Sequence, residues 1–233
     1  MKKFILIFAL ALSCFTLCEA RALAAEDLNI KLPAPEKTGG MSLLEALNTL
    51  NNRRSLSRND VYDDKVLQDE EDLQKLSNLL WAAAGVNRDD GKLVFATALN
   101  VQDIILYAFL KQGVYKYIPA NHSLELIEAG DHRKATAGRQ AFAAKGAVCF
   151  MFVQDVSRWE KTNFNFKDNL QEIKLCGWEH AGSMTQSSYL YAASVGWGAR
   201  TRMNFDKDEV KAILKLTDTQ EPIIMQCVGP LVK

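Results

Sequence analysis

The residues best suited to chemistry fall into three short segments. Arg53-Arg54-Ser55, with Arg58 close behind, sets adjacent guanidiniums beside a hydroxyl. Arg presents paired N–H donors that match phosphate oxygens, so the cluster reads as a phosphate site at a helix end. Basic residues also favour a helix C-terminus for its dipole, and spacing alone does not separate the two. Ala96-Thr97-Ala98-Leu99-Asn100-Val101-Gln102 follows the turn-like Asn87-Arg88-Asp89-Asp90-Gly91. Its amide side chains donate and accept at once, which suits the mixed edge of a pyrimidine-type ring. Asn100 reads equally well as the N-cap of a following helix. The third segment runs from Gly182-Ser183-Met184-Thr185-Gln186 to Ala192-Ala193-Ser194-Val195-Gly196-Trp197-Gly198. Its small residues admit close approach of either a partner helix or a flat ligand.

Other chemistry-bearing residues are sparse. His180 beside Glu179 suggests an acid/base pair, but helix neighbours do not face each other. His122 and His132 fall in or near turns and read as solvated. Cys149 and Cys227 sit inside apolar runs, where cysteine is usually a small core residue. No Cys/His spacing for a metal is present in the sequence.

Helices and antiparallel strands must position these segments. Ser42-Leu43-Leu44-Glu45 is a capping-box pattern, and Leu43, Leu44, Leu47 and Leu50 follow at helical spacing up to Arg53. Asp69-Glu70-Glu71-Asp72 opens a second helix with Leu73, Leu76, Leu79, Leu80 and Ala83 as its buried stripe and Gly85 as C-cap. Residues 113–118 and 123–127 alternate with period two about Pro119-Ala120-Asn121, which predicts a hairpin. The continuous apolar runs 147–153 and 222–228 predict buried strands, a long helix spans about 168–196, and Asp206 with Glu209 caps a last helix. Without βαβ alternation this is an α+β domain.

The chain has 233 residues, with 28 Lys+Arg against 28 Asp+Glu and 48% apolar residues. That excludes disordered and collagen-like classes, and zero net charge argues against a bulk nucleic-acid binder. Met1-Lys2-Lys3, the apolar run Phe4 to Leu12 and Ala22-Leu23-Ala24-Ala25 together read as a secretory signal peptide, residues 1–24. The run is too short for a membrane span. Cleavage near Ala24 leaves 25 basic and 27 acidic residues in an exported chain, periplasmic or secreted. Residues 25–40, with Pro33, Pro35, Gly39 and Gly40, read as a linker or arm, and residues 41–233 as one domain.

In their order along the chain these segments resemble the nitroreductase family of FMN-dependent oxidoreductases. The resemblance covers about residues 42–233. It rests on Arg53-Arg54-Ser55, on the string from Leu79-Leu80-Trp81 to Asn87-Arg88, on Asn100 with Gln102, and on the helix from Ala181-Gly182 to Gly196-Trp197-Gly198. The string and the hairpin Gly113-Val114-Tyr115-Lys116-Tyr117 look most like the branch that includes azoline-oxidising dehydrogenases. The resemblance implies a central, mainly antiparallel sheet flanked by helices and an intertwined homodimer with two FMN sites, each built from both chains. Carried over by position, Arg53, Arg54 and Ser55 would hold the phosphate and ribityl chain. Thr97, Ala98 and Asn100 would contact the isoalloxazine, and Gly196, Gly198 and Arg200 would line its other side. Lys233 would reach the phosphate. The implied activity is hydride transfer through FMN to or from a small organic substrate: a nitro compound, quinone or heterocycle. No metal is implied. NAD(P)H is the electron donor if the protein is cytosolic, and another donor is needed if it is exported. The alternative is an exported flavin-binding protein of the same fold without turnover.

Two positions depart from the family pattern. Ser57 stands where members usually carry Arg or Lys near the flavin N1–C2=O edge, leaving Arg58 to reach that edge or the flavin at a lower potential. Phe95-Ala96-Thr97 replaces a Pro-Ser pair common in the branch.

Overall fold

The protein is described here from a computed structural model covering residues 29–37, 43–57, 59–63, 67, 69–165 and 168–232. The signal-peptide reading, Ser42 of the capping box, Arg58 and Lys233 lie outside the described residues. The fold below is that of the compact unit whose bounds are residues 31–233, with β1 beginning one residue earlier.

In chain order the regular elements are β1 (Ile30–Lys31), α1 (Leu43–Asn52), α2 (Glu70–Ala84), β2 (Ile104–Phe109), β3 (Gly113–Ile118), β4 (Ser123–Ala129), β5 (Val148–Asp155), α3 (Leu170–Ser194), β6 (Gly198–Arg202), α4 (Lys207–Leu214) and β7 (Gln220–Gly229). The strands form one sheet in the order β1-β4-β3-β2-β5-β7-β6, antiparallel at every pairing from β4 to β6. This is the α+β architecture expected.

Both faces of the sheet are covered, which explains why β5 is buried along its whole length and reads as an unbroken apolar run. On one face Ile105, Tyr107, Phe109, Met151, Val153 and Met225 form a core with Val210 and Leu214 of α4. Cys149 and Cys227 meet directly across β5 and β7 in that core, Sγ to Sγ 3.4 Å, as buried free thiols. Burial pushes the Cys227 thiol well up. On the other face lie α2 and α3. Pro222, which cannot donate to a ladder, sits where the β5–β7 register shifts between Phe152 and Val153, a place that tolerates the missing N–H.

Asp69 caps α2 by accepting from the Asp72 N–H, and Leu76, Leu79, Leu80 and Ala83 are buried as the periodicity predicts. Asp206 caps α4 through the Glu209 N–H. The small residues of α3 serve close packing. A Cβ on Gly177 would stand 2.2 Å from the Gln154 side chain, so the helix can lie this near the sheet only with glycine there. Residues 33–36 run along α2: the Ser77 hydroxyl donates to the Pro33 carbonyl, and Gln74 Nε2 to the Ala34 carbonyl. Asn78 and Glu36 exchange two hydrogen bonds.

Two expectations are corrected. Asn100 does not cap a helix: a short 3₁₀ turn, Ala98–Asn100, leads into β2, whose apolar run the helix reading overlooked. His122 is not solvated. It is half-buried, with Nδ1 2.7 Å from the Tyr117 hydroxyl and Nε2 2.7 Å from the Ser77 hydroxyl. Because Ser77 gives its proton to Pro33, His122 Nε2 must be the donor to Ser77, and Nδ1 then accepts from Tyr117.

Candidate functional site

Arg53-Arg54-Ser55 emerges from the C-terminus of α1 and is anchored to the sheet edge. Ser55 forms a bridge with Ala199, and the Leu56 N–H donates to the Ala199 carbonyl at 3.1 Å. Tyr189 of α3 ties the cluster together. Its ring lies 5.3 Å beneath the Arg53 guanidinium, and its hydroxyl accepts from the Thr201 N–H and meets Ser55 Oγ at 3.2 Å. Arg54 forms a two-point ion pair with Asp60, at 3.0 and 3.2 Å. The Arg54 hydrogen bonds and the Ser57 N–H hold the Asp60 carboxyl down at about 2. Arg54 remains 60% exposed, so its other N–H donors stay open to a ligand.

A cavity of about 350 Å³ opens beside this cluster, lined by Arg54, Leu56, Tyr189, Gly196, Gly198 and Leu231 among others. Gly196 takes φ +71° where α3 turns into β6, a conformation that favours glycine, and a Cβ there would meet open space. Arg200 is placed differently. Its guanidinium lies over the Phe142 ring, and Nη1 is buried without a hydrogen-bond partner.

Thr97, Ala98 and Asn100 form a second, separate group. Leu99, Asn100 and Gln102 all have positive φ, of 51°, 54° and 49°. Three non-glycine residues in this sparsely populated region within four positions require outside support. Thr97 Oγ1 accepts from the Gln102 N–H, and Gln102 Nε2 donates to Asn100 Oδ1 and to the Gly91 carbonyl. The Ala98 N–H donates to His180 Nε2 at 2.9 Å. His180 Nδ1 lies 2.6 Å from Asp103 Oδ1, so the imidazole must be the neutral tautomer protonated at Nδ1. Asp103 is fully buried and also accepts from Gln154 Nε2 and Trp159 Nε1, at 2.8 and 2.9 Å. Burial alone would raise its pKa, but the three hydrogen bonds outweigh that and hold it below the usual carboxylate range.

The proposed Glu179–His180 pair is therefore not formed as a hydrogen bond. Glu179 Oε2 stands 3.7 Å from Nε2, and both ring nitrogens are already engaged. Neither Asp103 nor Tyr189 stood out as a site residue in the sequence. An aspartate directly preceding an apolar run was the available signal for the first. No group of three or more His, Cys, Asp or Glu suited to a metal occurs among the described residues.

One chain does not bring the two groups together. His180, which holds Ala98, and Tyr189, which holds Ser55, are nine residues apart on α3. At 1.5 Å and 100° per residue that is about 13.5 Å of rise and about two and a half turns, so they project from opposite sides of the helix.

The features fit one flavin phosphate at the Arg54 end: an exposed guanidinium with spare donors, an open glycine cradle and a hydroxyl. The chain also resembles known proteins. A protein of Methanocaldococcus jannaschii named as a nitroreductase is 28% identical over 170 residues, 67% of this chain and 80% of the relative. A crystal structure described as a nitroreductase from Ralstonia eutropha shares 31% identity at a TM-score of 0.74, covering 88% of this chain and 90% of that one. The fold also matches a chain of the Escherichia coli microcin synthetase McbBCD complex with truncated pro-MccB17 bound, at TM-score 0.64 and 18% identity over 91% of this chain and 81% of that one. The sequence model described as Nitroreductase family matches residues 50–230. With more than three quarters of its length matched, the chain belongs to the nitroreductase family.

Proposed function

We propose that this protein is an FMN-dependent oxidoreductase that works as a homodimer, each flavin site being built from both copies. The family consists generally of FMN-dependent oxidoreductases. The observation that carries the two-chain reading is the division of the site residues between opposite sides of α3 at different heights along it. A second copy packed against this helix would supply Thr97, Ala98 and Asn100 to the Arg54 cavity. Leu47 and Leu50 of α1 are 54% and 51% exposed, an apolar face consistent with such a contact.

In this reading Arg53, Arg54 and Ser55 bind the FMN phosphate, with Arg58 and Lys233 as further contacts. The backbone at Gly196 and Gly198 approaches the flavin from one side, and Thr97, Ala98 and Asn100 meet its ring from the other. When bound, FMN supplies hydride transfer to or from a small organic substrate, such as a nitro compound, quinone or heterocycle. Arg54 neutralises phosphate charge while Asp60 fixes its fork. Asp103 and His180 hold the Ala98 backbone in place from beneath. We further infer that residues 1–24 are a cleaved leader and that the exported protein takes electrons from a donor other than NAD(P)H.

Co-expression of differently tagged Arg54→Ala and Asn100→Ala copies tests the two-chain site. In a shared-site dimer one site carries both lesions and the other neither, so the purified hybrid should bind one FMN per dimer. A hybrid that binds none, although wild-type protein binds two, contradicts the shared site. Flavin storage without turnover is a second reading, favoured by Ser57: its N–H serves Asp60 and its hydroxyl serves the Asn59 N–H, so position 57 itself supplies no cation. Dithionite-linked reduction of a quinone by the loaded protein decides against it.

A further inference from the structure

A second cavity, of about 610 Å³, lies at the ends of β2 and β3, away from the Arg54 pocket. Its walls are largely apolar, from Val86, Leu93, Ile104, Leu106, Ile118 and Pro119, and its volume falls in the range of small-molecule sites. Three cations also line it, Arg88, Lys116 and Arg158, against a single carboxylate, Asp89. In a chain of zero net charge this is a concentrated local excess.

The cations are placed rather than neutralised. Arg88 donates from Nη2 to the Leu93 carbonyl at 3.2 Å and from Nε to Asn87 Oδ1 at 3.1 Å. Arg158 donates from Nη1 to the Gln102 carbonyl. Among the described residues neither guanidinium, nor Lys116, has a carboxylate within ion-pair distance. Each guanidinium has five N–H donors, of which three on Arg88 and four on Arg158 make no hydrogen bond among the described residues. Backbone carbonyls that fix an Arg without cancelling its charge give a preorganised oxyanion clamp.

The cavity also communicates with the proposed flavin edge. Gln102, whose carbonyl holds Arg158, donates through Nε2 both to Asn100 and to the Gly91 carbonyl of the cavity wall. A ligand seated here would lie beside the Thr97–Gln102 segment. We propose that this cavity is the substrate's anchoring subsite and that the protein takes small organic oxyanions: an apolar, flat body carrying a carboxylate or a phosphate, gripped by Arg158 and Arg88 with Lys116. The assignment rests on the flavin reading for its role as a substrate site, while the anion binding itself stands on the cavity alone.

The test is calorimetric titration of the purified full-length protein, with and without FMN, using benzoate, phenyl phosphate and the neutral benzyl alcohol. At least one anion should bind tenfold or more tighter than the alcohol, and the better anion identifies the oxyanion. Arg158→Gln should weaken anion binding about tenfold, Arg158→Lys should restore part of it, and FMN affinity should be unchanged in both. Lys116→Gln gives an independent variant, since the Lys116 side chain makes no hydrogen bond among the described residues and its loss should leave folding intact. Flavin-loaded protein that binds the alcohol and both anions equally overturns the subsite while the flavin reading survives. Protein that binds an anion through Arg158 but takes no FMN supports the oxyanion clamp and refutes the flavin reading.

Discussion

Replacing Asp103 by alanine should be among the most damaging single changes available in the described core. The carboxylate is fully buried and accepts from His180, Gln154 and Trp159, each at most 2% exposed. Each donor left unsatisfied costs about 1–3 kcal/mol, but the effects share one site and do not add. Removing one partner of a buried charge-bearing network costs about 3–5 kcal/mol, which we take as the expected loss for Asp103→Ala. With a urea m-value near 2 kcal/mol/M the midpoint should fall by about 1.5–2.5 M. Asp103→Asn keeps one acceptor oxygen but aims an amide at one of the donors, so it should cost less, about 1–3 kcal/mol. The sign with pH follows from a depressed carboxyl pKa. The stabilisation is complete above the unfolded value of about 3.9 and is lost as pH falls through the folded value, so wild type and variant should converge only in acid. Urea unfolding followed by near-ultraviolet circular dichroism, with amide exchange at Ala98, makes the measurement. A loss below about 1 kcal/mol for Asp103→Ala, or an unchanged exchange rate at Ala98, would refute the reasoning.

Gly177→Ala should destabilise by about 1–3 kcal/mol in thermal or urea melts, because its Cβ would strike the buried Gln154 amide that holds Asp103 and Ile173. The Asp60 carboxyl should titrate at about 2 by NMR. Its contribution to stability is present above about pH 3.9 and fades as pH falls toward 2, with an amplitude under about 1 kcal/mol because Arg54 is well exposed. Leu47→Glu with Leu50→Glu should leave the monomer fold intact, since both side chains are more than half exposed, yet shift the protein toward monomer in sedimentation.

Much of the fold was legible because its signals are local. Asp206 caps the helix it was expected to cap, the acidic run from Asp69 opens the helix it was expected to open, and β5 and β7 announce themselves as apolar runs, since a strand covered on both faces cannot alternate. β2 escaped because Ala98-Leu99-Asn100 imitates a helix start, and its left-handed backbone is imposed by tertiary bonds to His180 and within the loop. The Arg53–Ser55 cluster was legible as a set of donors. Its ordering by Asp60 and Tyr189 was not, since Tyr189 is 134 residues from Ser55. His122 and His180 show the limit most clearly: Tyr117 meets His122 across the expected hairpin turn, but Ser77 and Asp103, 45 and 77 residues from their histidines, are brought to them by packing that no spacing in the sequence encodes.

The central claim is that two copies of this chain hold two flavins. The most direct measurement is FMN titration of the purified protein by fluorescence quenching and visible absorbance, with the oligomer's mass determined on the same sample. The account predicts a dimer binding one FMN per chain, with that binding lost in the Arg53→Ala, Arg54→Ala double variant. A monomer that binds FMN stoichiometrically, or a dimer that takes up no FMN, would contradict it.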